Sequence, residues 1–214
     1  MKLPRLYPIL DLDSLATLAG EGQLLATLTA HARALAEAGC TVLQYRAKTL
    51  APREALAQAR ELRRLLPQAT LIMNDRADLC LATGFDGVHV GQDDLSPEAV
   101  HAVIGPQRVV GLSTHNPAQF AAALHEPVDY LAIGPVFATG SKQNPDPVVD
   151  VVGVSEARRL LDESGKKVPL VAIGGITRQN AEQVLRAGAD SVAVIGDISR
   201  NPGESARAFL RLMM

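Results

Sequence analysis

Two cations and an amide alternate along Gln44-Tyr45-Arg46-Ala47-Lys48, so an extended backbone there turns Gln44, Arg46 and Lys48 to one side. Aligned in that way they form an anion-binding edge, whereas singly each would be an ordinary surface group. Two apolar runs then end in carboxylates, Met73-Asn74-Asp75 and Gly91-Gln92-Asp93-Asp94. Mg2+ favours hard oxygen ligands, commonly one or two carboxylates completed by water and phosphate, and Asp75 with Asp94 meets that sparse requirement. The bland alternatives are a turn role for Asp75 and a share in capping the helix near Pro97 for Asp93 or Asp94. A third cluster, Gly134-Pro135-Val136-Phe137-Ala138-Thr139-Gly140-Ser141-Lys142, offers two hydroxyls, an ammonium and exposed backbone with which to wrap an anion. Without a ligand it reads as a surface loop carrying a solvated Lys142.

The fourth cluster is the most specific. Gly174-Gly175-Ile176-Thr177 and Ile195-Gly196 each follow an apolar run. Glycine lets backbone N–H groups approach phosphate oxygens, although a glycine pair also relieves crowding in a tight turn. Ser113, in Gly111-Leu112-Ser113-Thr114-His115-Asn116, is placed to donate to a ligand, while Thr114 or Asn116 suits the cap of a helix at Pro117. His89 and His115 show no paired carboxylate or nucleophile in the sequence and read as structural, so no hydrolase triad is expected.

Eight short apolar runs precede these polar groups: Leu6 to Leu10, Thr41 to Tyr45, Thr70 to Met73, Gly87 to Val90, Val109 to Leu112, Tyr130 to Ile133, Leu170 to Ile173 and Ser191 to Ile195. Stretches of helical period separate them. Leu24, Leu25, Leu28, Ala32, Leu35 and Ala36 share one predicted helix face, and Ala55, Ala59, Leu62 and Leu66 another. Ser96-Pro97 and Asn116-Pro117 mark two helix starts, each an N-cap oxygen followed by a ring pre-set for the first helical residue. Eight strand-helix units in 214 residues leave too little chain for a second sheet, so the expected fold is α/β, a single-domain (β/α)8 TIM barrel over residues 1–214. An open doubly wound sheet is the alternative. Barrel enzymes keep their chemistry at the C-terminal ends of the strands, which is where the polar clusters fall. The aperiodic segment Gly140 to Val149 is the expected lid.

Lys plus Arg number 21 against 23 Asp plus Glu, a net charge of −2, so nothing electrostatic favours nucleic acid or an anionic membrane. No apolar run reaches a membrane span, and Met1 to Leu10 lacks the zones of a signal peptide, which gives a cytoplasmic expectation. Cys40 and Cys80 have neither zinc-site nor disulfide spacing and are expected to be buried thiols. The expected partners are small molecules, with homo-oligomerisation left open.

In this order the clusters Gln44-Tyr45-Arg46-Ala47-Lys48, Asn74-Asp75, His89-Val90-Gly91-Gln92-Asp93-Asp94, Gly111-Leu112-Ser113, Gly134-Pro135 through Lys142, and Ile173-Gly174-Gly175-Ile176 resemble the thiamine-phosphate synthase family, from about Leu6 to Ile198. The resemblance implies a transferase that joins a hydroxymethylpyrimidine diphosphate to a thiazole phosphate or its carboxylated form. By that resemblance Gln44, Arg46, Lys48, Asn74, Ser113 and Lys142 hold the pyrimidine diphosphate, with Tyr45 and Ala47 in the same substrate-binding segment and Asp75 and Asp94 on Mg2+. Arg46, Lys48, Ser113 and Lys142 are the expected catalytic set. Thr139 and Ser141, with Gly140 between them in the same substrate-binding segment, face the thiazole phosphate, whose phosphate rests on backbone around Gly175, Ile195 and Gly196. The family commonly has Ser where this chain has Gly196. A thiazole tautomerase of the same superfamily would not need Arg46, Lys48, Asp75, Asp94 and Lys142. A non-catalytic phosphate sensor and a sugar-phosphate isomerase are further alternatives; the latter would need a general base, and none stands out.

Overall fold

The computed structural model describes residues 2–140 and 146–212. Eight parallel strands close on themselves in chain order: β1 (Leu6–Asp11), β2 (Val42–Arg46), β3 (Thr70–Asn74), β4 (Gly87–Val90), β5 (Val109–Thr114), β6 (Tyr130–Ile133), β7 (Leu170–Ile173) and β8 (Ser191–Val194). The expected barrel is what forms, and the open sheet is excluded by the pairing of β1 with β8. Around it run α1 (Leu12–Ala16), α2 (Leu24–Glu37), α3 (Pro52–Leu65), α4 (Ala77–Thr83), α5 (Pro97–Ile104), α6 (Pro117–Ala123), α7 (Asp150–Ser164), α8 (Ala181–Arg186), α9 (Gly196–Ser199) and α10 (Pro202–Leu212). Among the described residues no helix is long and apolar enough to cross a membrane.

Several strands run past the hydrophobic segments that announced them. Asp11 pairs with Arg46, Asn74 with His89, and Ser113 with Ala132. Backbone pairing is indifferent to side-chain polarity, so the ladder continues into the polar mouth after the apolar run has stopped. β2 begins at Val42 rather than Thr41, and β8 ends at Val194 rather than Ile195.

The period-2 alternation divides the core in two. Outward-facing residues meet the helices in the larger cluster, which takes in Leu43, Tyr45, Leu71, Val88 and Leu131. Inward-facing residues fill the barrel, among them Tyr7, Ile9, Val42, Ile72, Tyr130 and Ala193. Gly111 makes room for the Tyr130 ring: a Cβ there would lie 2.0 Å from Tyr130 Cζ. In α2 the buried stripe is Leu28, Ala32 and Leu35, with Leu24 and Ala36 half-buried. Leu25 departs from the expectation: it shares that face but lies in the first turn of the helix and is 44% exposed. In α3 Ala55, Ala59 and Leu62 are buried as expected, and Leu66 follows just past its end. Ser96 and Asn116 accept from the backbone N–H groups of Ala99 (3.2 Å) and Gln119 (2.9 Å), so both caps form. Cys40 and Cys80 are free, buried thiols, and burial pushes each up to about 11.

Candidate active site

A cavity of about 550 Å3 opens at the C-terminal ends of the strands. On one side β2, β3, β4 and β5 deliver Gln44, Arg46, Lys48, Asn74, Asp75, Asp94 and Ser113 to it. On the other side stand Thr139 and Gly140 from the segment after β6, Gly175 after β7, and Ile195 and Gly196 after β8. The alternation that turns Gln44 and Arg46 inward turns Tyr45 outward, where its hydroxyl donates to Gln58 Oε1 at 3.0 Å. Ala47 likewise packs on the outer core. The side chains of Tyr45 and Ala47 are therefore not brought to the cavity. Ser141 and Lys142 lie outside the described residues, as does 141–145 of the expected lid.

The charged groups at the mouth are tied to one another. Arg46 donates to Asp11, which is buried, and lies 3.9 Å from Asp13. Asp11 also caps α1, accepting from Ser14 N at 3.2 Å and Ser14 Oγ at 2.6 Å. Lys48 pairs with Asp75. Burial raises the Asp75 carboxyl above its ordinary value; Lys48 opposes that shift and the neighbouring Asp94 carboxylate adds to it. Asp94 accepts from Gly91 N at 2.8 Å, and the helix cap it was weighed for belongs to Ser96. Asp75 holds φ at 60°, a left-handed conformation uncommon outside glycine and best tolerated by Asn and Asp.

The opposite wall is a braced loop pair. Val136 N donates to Ile173 O (2.9 Å) and Phe137 N to Gly174 O (3.0 Å), locking the segment after β6 onto the one after β7. Gly174 and Gly175 have φ of 99° and 63°. Asn180 donates to Gly175 O at 3.0 Å and accepts from Thr177 N at 2.7 Å, while Asp197 accepts from Arg178 N at 2.9 Å and Arg178 Nε at 3.1 Å. The loops after β7 and β8 are thus held together by groups outside the glycine motif.

His89, expected to be structural, is buried and bonded through both ring nitrogens. Its ring lines the cavity, stacks on Tyr130 (centroids 5.5 Å apart, planes 16°), and is bonded through Nδ1 to Tyr130 OH at 2.9 Å and through Nε2 to Ser113 Oγ at 2.7 Å. Burial lowers it to about 4; Asp94 opposes the shift and His115 adds to it. His115 also lines the cavity, with Nδ1 bonded to Gly134 O at 2.7 Å. The missed Asp11 ends β1 as Asp75 follows β3, so the strand-end rule would have found it. Tyr7 and Tyr130 sat in runs read as purely apolar, and only three-dimensional register aligns them with His89.

A neutral His89 makes folding sensitive to acid. Above about pH 6.5 the ring is uncharged folded or unfolded and contributes nothing to pH dependence. Between there and about pH 4 the unfolded chain takes a proton that the native ring refuses, so stability falls with pH by roughly 3 kcal/mol. Melting curves from pH 7 to pH 4 are expected to fall less steeply for His89→Gln than for the unsubstituted chain; parallel slopes would refute the assignment.

Comparison with known proteins places the chain in a family. The family model described as thiamine monophosphate synthase matches residues 15–198. A thiamine-phosphate synthase of Koribacter versatilis is 54% identical over 214 residues, covering 100% of this chain and 97% of its own length. That of Chlorobium phaeovibrioides is 40% identical over 179 residues, 82% of this chain and 83% of its own. The solved structure of a thiamine phosphate pyrophosphorylase from Pyrococcus furiosus superposes with a TM-score of 0.80 at 29% identity, covering 97% of this chain and 94% of that one. With barrel and family model in agreement, and the relatives matched over most or all of their length, the chain belongs to the thiamine monophosphate synthase family.

Proposed function

We propose that this transferase condenses 4-amino-2-methyl-5-(diphosphooxymethyl)pyrimidine with a thiazole phosphate to give thiamine phosphate and diphosphate; the carboxylated thiazole would also release CO2. The observation that carries this reading is the two-sided cavity, with a cationic and carboxylate edge from β2, β3 and β4 facing a glycine-lined wall after β7 and β8. One side suits a diphosphate with a divalent cation, the other a monophosphate held by backbone N–H groups.

Asp75 and Asp94 are hard-oxygen donors; burial raises the Asp75 carboxyl and the neighbouring Asp94 carboxylate adds to that shift, a cost that a cation would relieve, so the residues present fit Mg2+. When bound, Mg2+ would neutralise charge on the diphosphate. Arg46, held by Asp11, and Lys48 would stabilise the departing oxygens as the C–O bond breaks and its electron pair leaves with diphosphate. The pyrimidine amino group would delocalise the resulting carbocation, and the thiazole nitrogen lone pair would form the new C–N bond. Gln44, Asn74 and Ser113 would orient the pyrimidine, and Thr139 and Gly140 would lie beside the thiazole phosphate on Gly175, Ile195 and Gly196. Lys142 and Ser141 are assigned to the diphosphate and the thiazole side from the resemblance alone. No protein nucleophile is needed, because positioning replaces covalent catalysis.

The test is formation of thiamine phosphate by purified protein, with and without Mg2+, using each thiazole form. Mg2+-dependent product is expected. Intact, folded protein that yields none with either form would overturn the reading.

A further inference from the structure

The barrel interior holds a line of polar side chains whose middle members, Tyr7 and Tyr130, substrate contact does not explain. Gln44 Nε2 donates to Tyr7 OH at 3.1 Å, Tyr7 OH meets Tyr130 OH at 3.0 Å, Tyr130 OH meets His89 Nδ1 at 2.9 Å, and His89 Nε2 meets Ser113 Oγ at 2.7 Å. Tyr7 and Tyr130 are about 1% and 0% exposed and line no part of the cavity. Apolar side chains would fill that space without needing partners.

Each hydroxyl has one hydrogen to give, and a neutral imidazole has one N–H. Gln44 gives one of its two amide hydrogens to Tyr7, so the Tyr7 hydrogen goes to Tyr130 and that of Tyr130 goes to His89 Nδ1. The imidazole hydrogen is then on Nε2 and is donated to Ser113 Oγ. The hydrogen of Ser113 cannot point back at His89 and is left for the cavity. Reversing the chain strands the Tyr7 O–H beside an amide N–H2, with no other acceptor bonded to it among the described residues. The direction therefore hangs on which way the Gln44 amide faces.

We propose that Tyr7, Tyr130 and His89 are positioning residues, and that their one-way hydrogen-bond chain, headed by the Gln44 amide, fixes Ser113 as a donor into the cavity, so that the site selects a substrate carrying an acceptor atom there. The identity of that substrate rests on the function proposed above; the direction of the chain does not.

Ring 15N NMR of histidine-labelled protein, with the His89 signals assigned by their loss in His89→Gln, is expected to show Nε2 protonated and Nδ1 bare at neutral pH without ligand. An Nδ1–H tautomer or an imidazolium overturns the proposal, whether or not the protein turns over. Tyr130→Phe keeps the ring stacking but removes the donor to Nδ1, and kcat/KM for the pyrimidine diphosphate is expected to fall about tenfold, the worth of one neutral hydrogen bond. In a Ser113→Ala background that loss disappears, because Tyr130 acts through Ser113. A loss that persists undiminished there overturns the chain as a positioning device, and if Tyr130→Phe does not fold the tautomer of the unsubstituted chain decides. A failed synthase assay with an Nε2–H tautomer would condemn the functional reading alone.

Discussion

Asp75→Asn is expected to abolish most Mg2+-dependent turnover, by about a thousandfold, while leaving the metal-free protein at least as stable as before. The first half follows from the loss of one of two anionic metal ligands; metal stabilisation of developing charge is worth several kcal/mol, and about 4 kcal/mol is three orders of magnitude. The second half follows from the sign of the Asp75 shift. A carboxyl raised above its unfolded value gives stability that is present at low pH and lost as pH rises through the folded value, so at neutral pH the ionised group opposes folding. Removing the charge removes that opposition. Asn is the substitution of choice because it tolerates φ of 60° and retains the backbone N–H that donates to His89 O at 2.8 Å. Melting with and without Mg2+ separates the two effects: Mg2+ should raise the melting temperature of the unsubstituted chain and not that of the variant. A variant that melts far below the parent without metal would mean that the Lys48–Asp75 pair stabilises the fold and that lost activity is lost structure. A variant with near-normal Mg2+ dependence would remove Asp75 from the metal set.

The barrel was legible because its information is local. Each of the eight strands carries its own short apolar run, and two of the helix starts carry their own cap and proline. The gathering of Gln44, Arg46, Lys48, Asp75 and Asp94 at one cavity was legible for the same reason, since the first three alternate along one strand end and the two carboxylates follow two adjacent strands. What the residues could not announce was pairing across the barrel. Asp11 meets Arg46 from 35 positions away, and Tyr7 meets Tyr130 from 123. A tyrosine inside an apolar run looks like core until register places its hydroxyl against another polar group. His89 looked structural because its partners, Tyr130 and Ser113, are hydroxyls on other strands rather than a nearby carboxylate. The same alternation explains why the side chains of Tyr45 and Ala47 face away from the cavity. A contiguous motif was taken whole, although every second side chain in it faces the helices.

Gly175→Ala and Gly196→Ser are expected to act in opposite directions on the same phosphate. Gly175 has φ of 63°, and a Cβ there would lie 2.6 Å from Ala138 O and 2.7 Å from Phe137 Cβ. The segment after β6 cannot retreat easily, because its backbone is bonded to Ile173 O and Gly174 O. Left-handed strain and overpacking together should lower stability by about 3 kcal/mol, and movement of the loop should raise KM for the thiazole phosphate about tenfold or more as backbone donors leave the phosphate. Gly196 is the reverse case. A Cβ there meets nothing within 4 Å and the position is not among the glycines of positive φ, so a side chain fits at little cost. A serine hydroxyl would add a charge-assisted hydrogen bond to the phosphate and is expected to lower KM for the thiazole substrate about tenfold, with KM for the pyrimidine diphosphate unchanged. Steady-state kinetics with each substrate varied in turn resolve all four values. If Gly196→Ser moves the pyrimidine KM instead, the two anions occupy the opposite sides of the cavity from those proposed. If Gly175→Ala loses stability but keeps its thiazole KM, the glycine pair serves the turn alone, and the phosphate rests on the segment that follows β8.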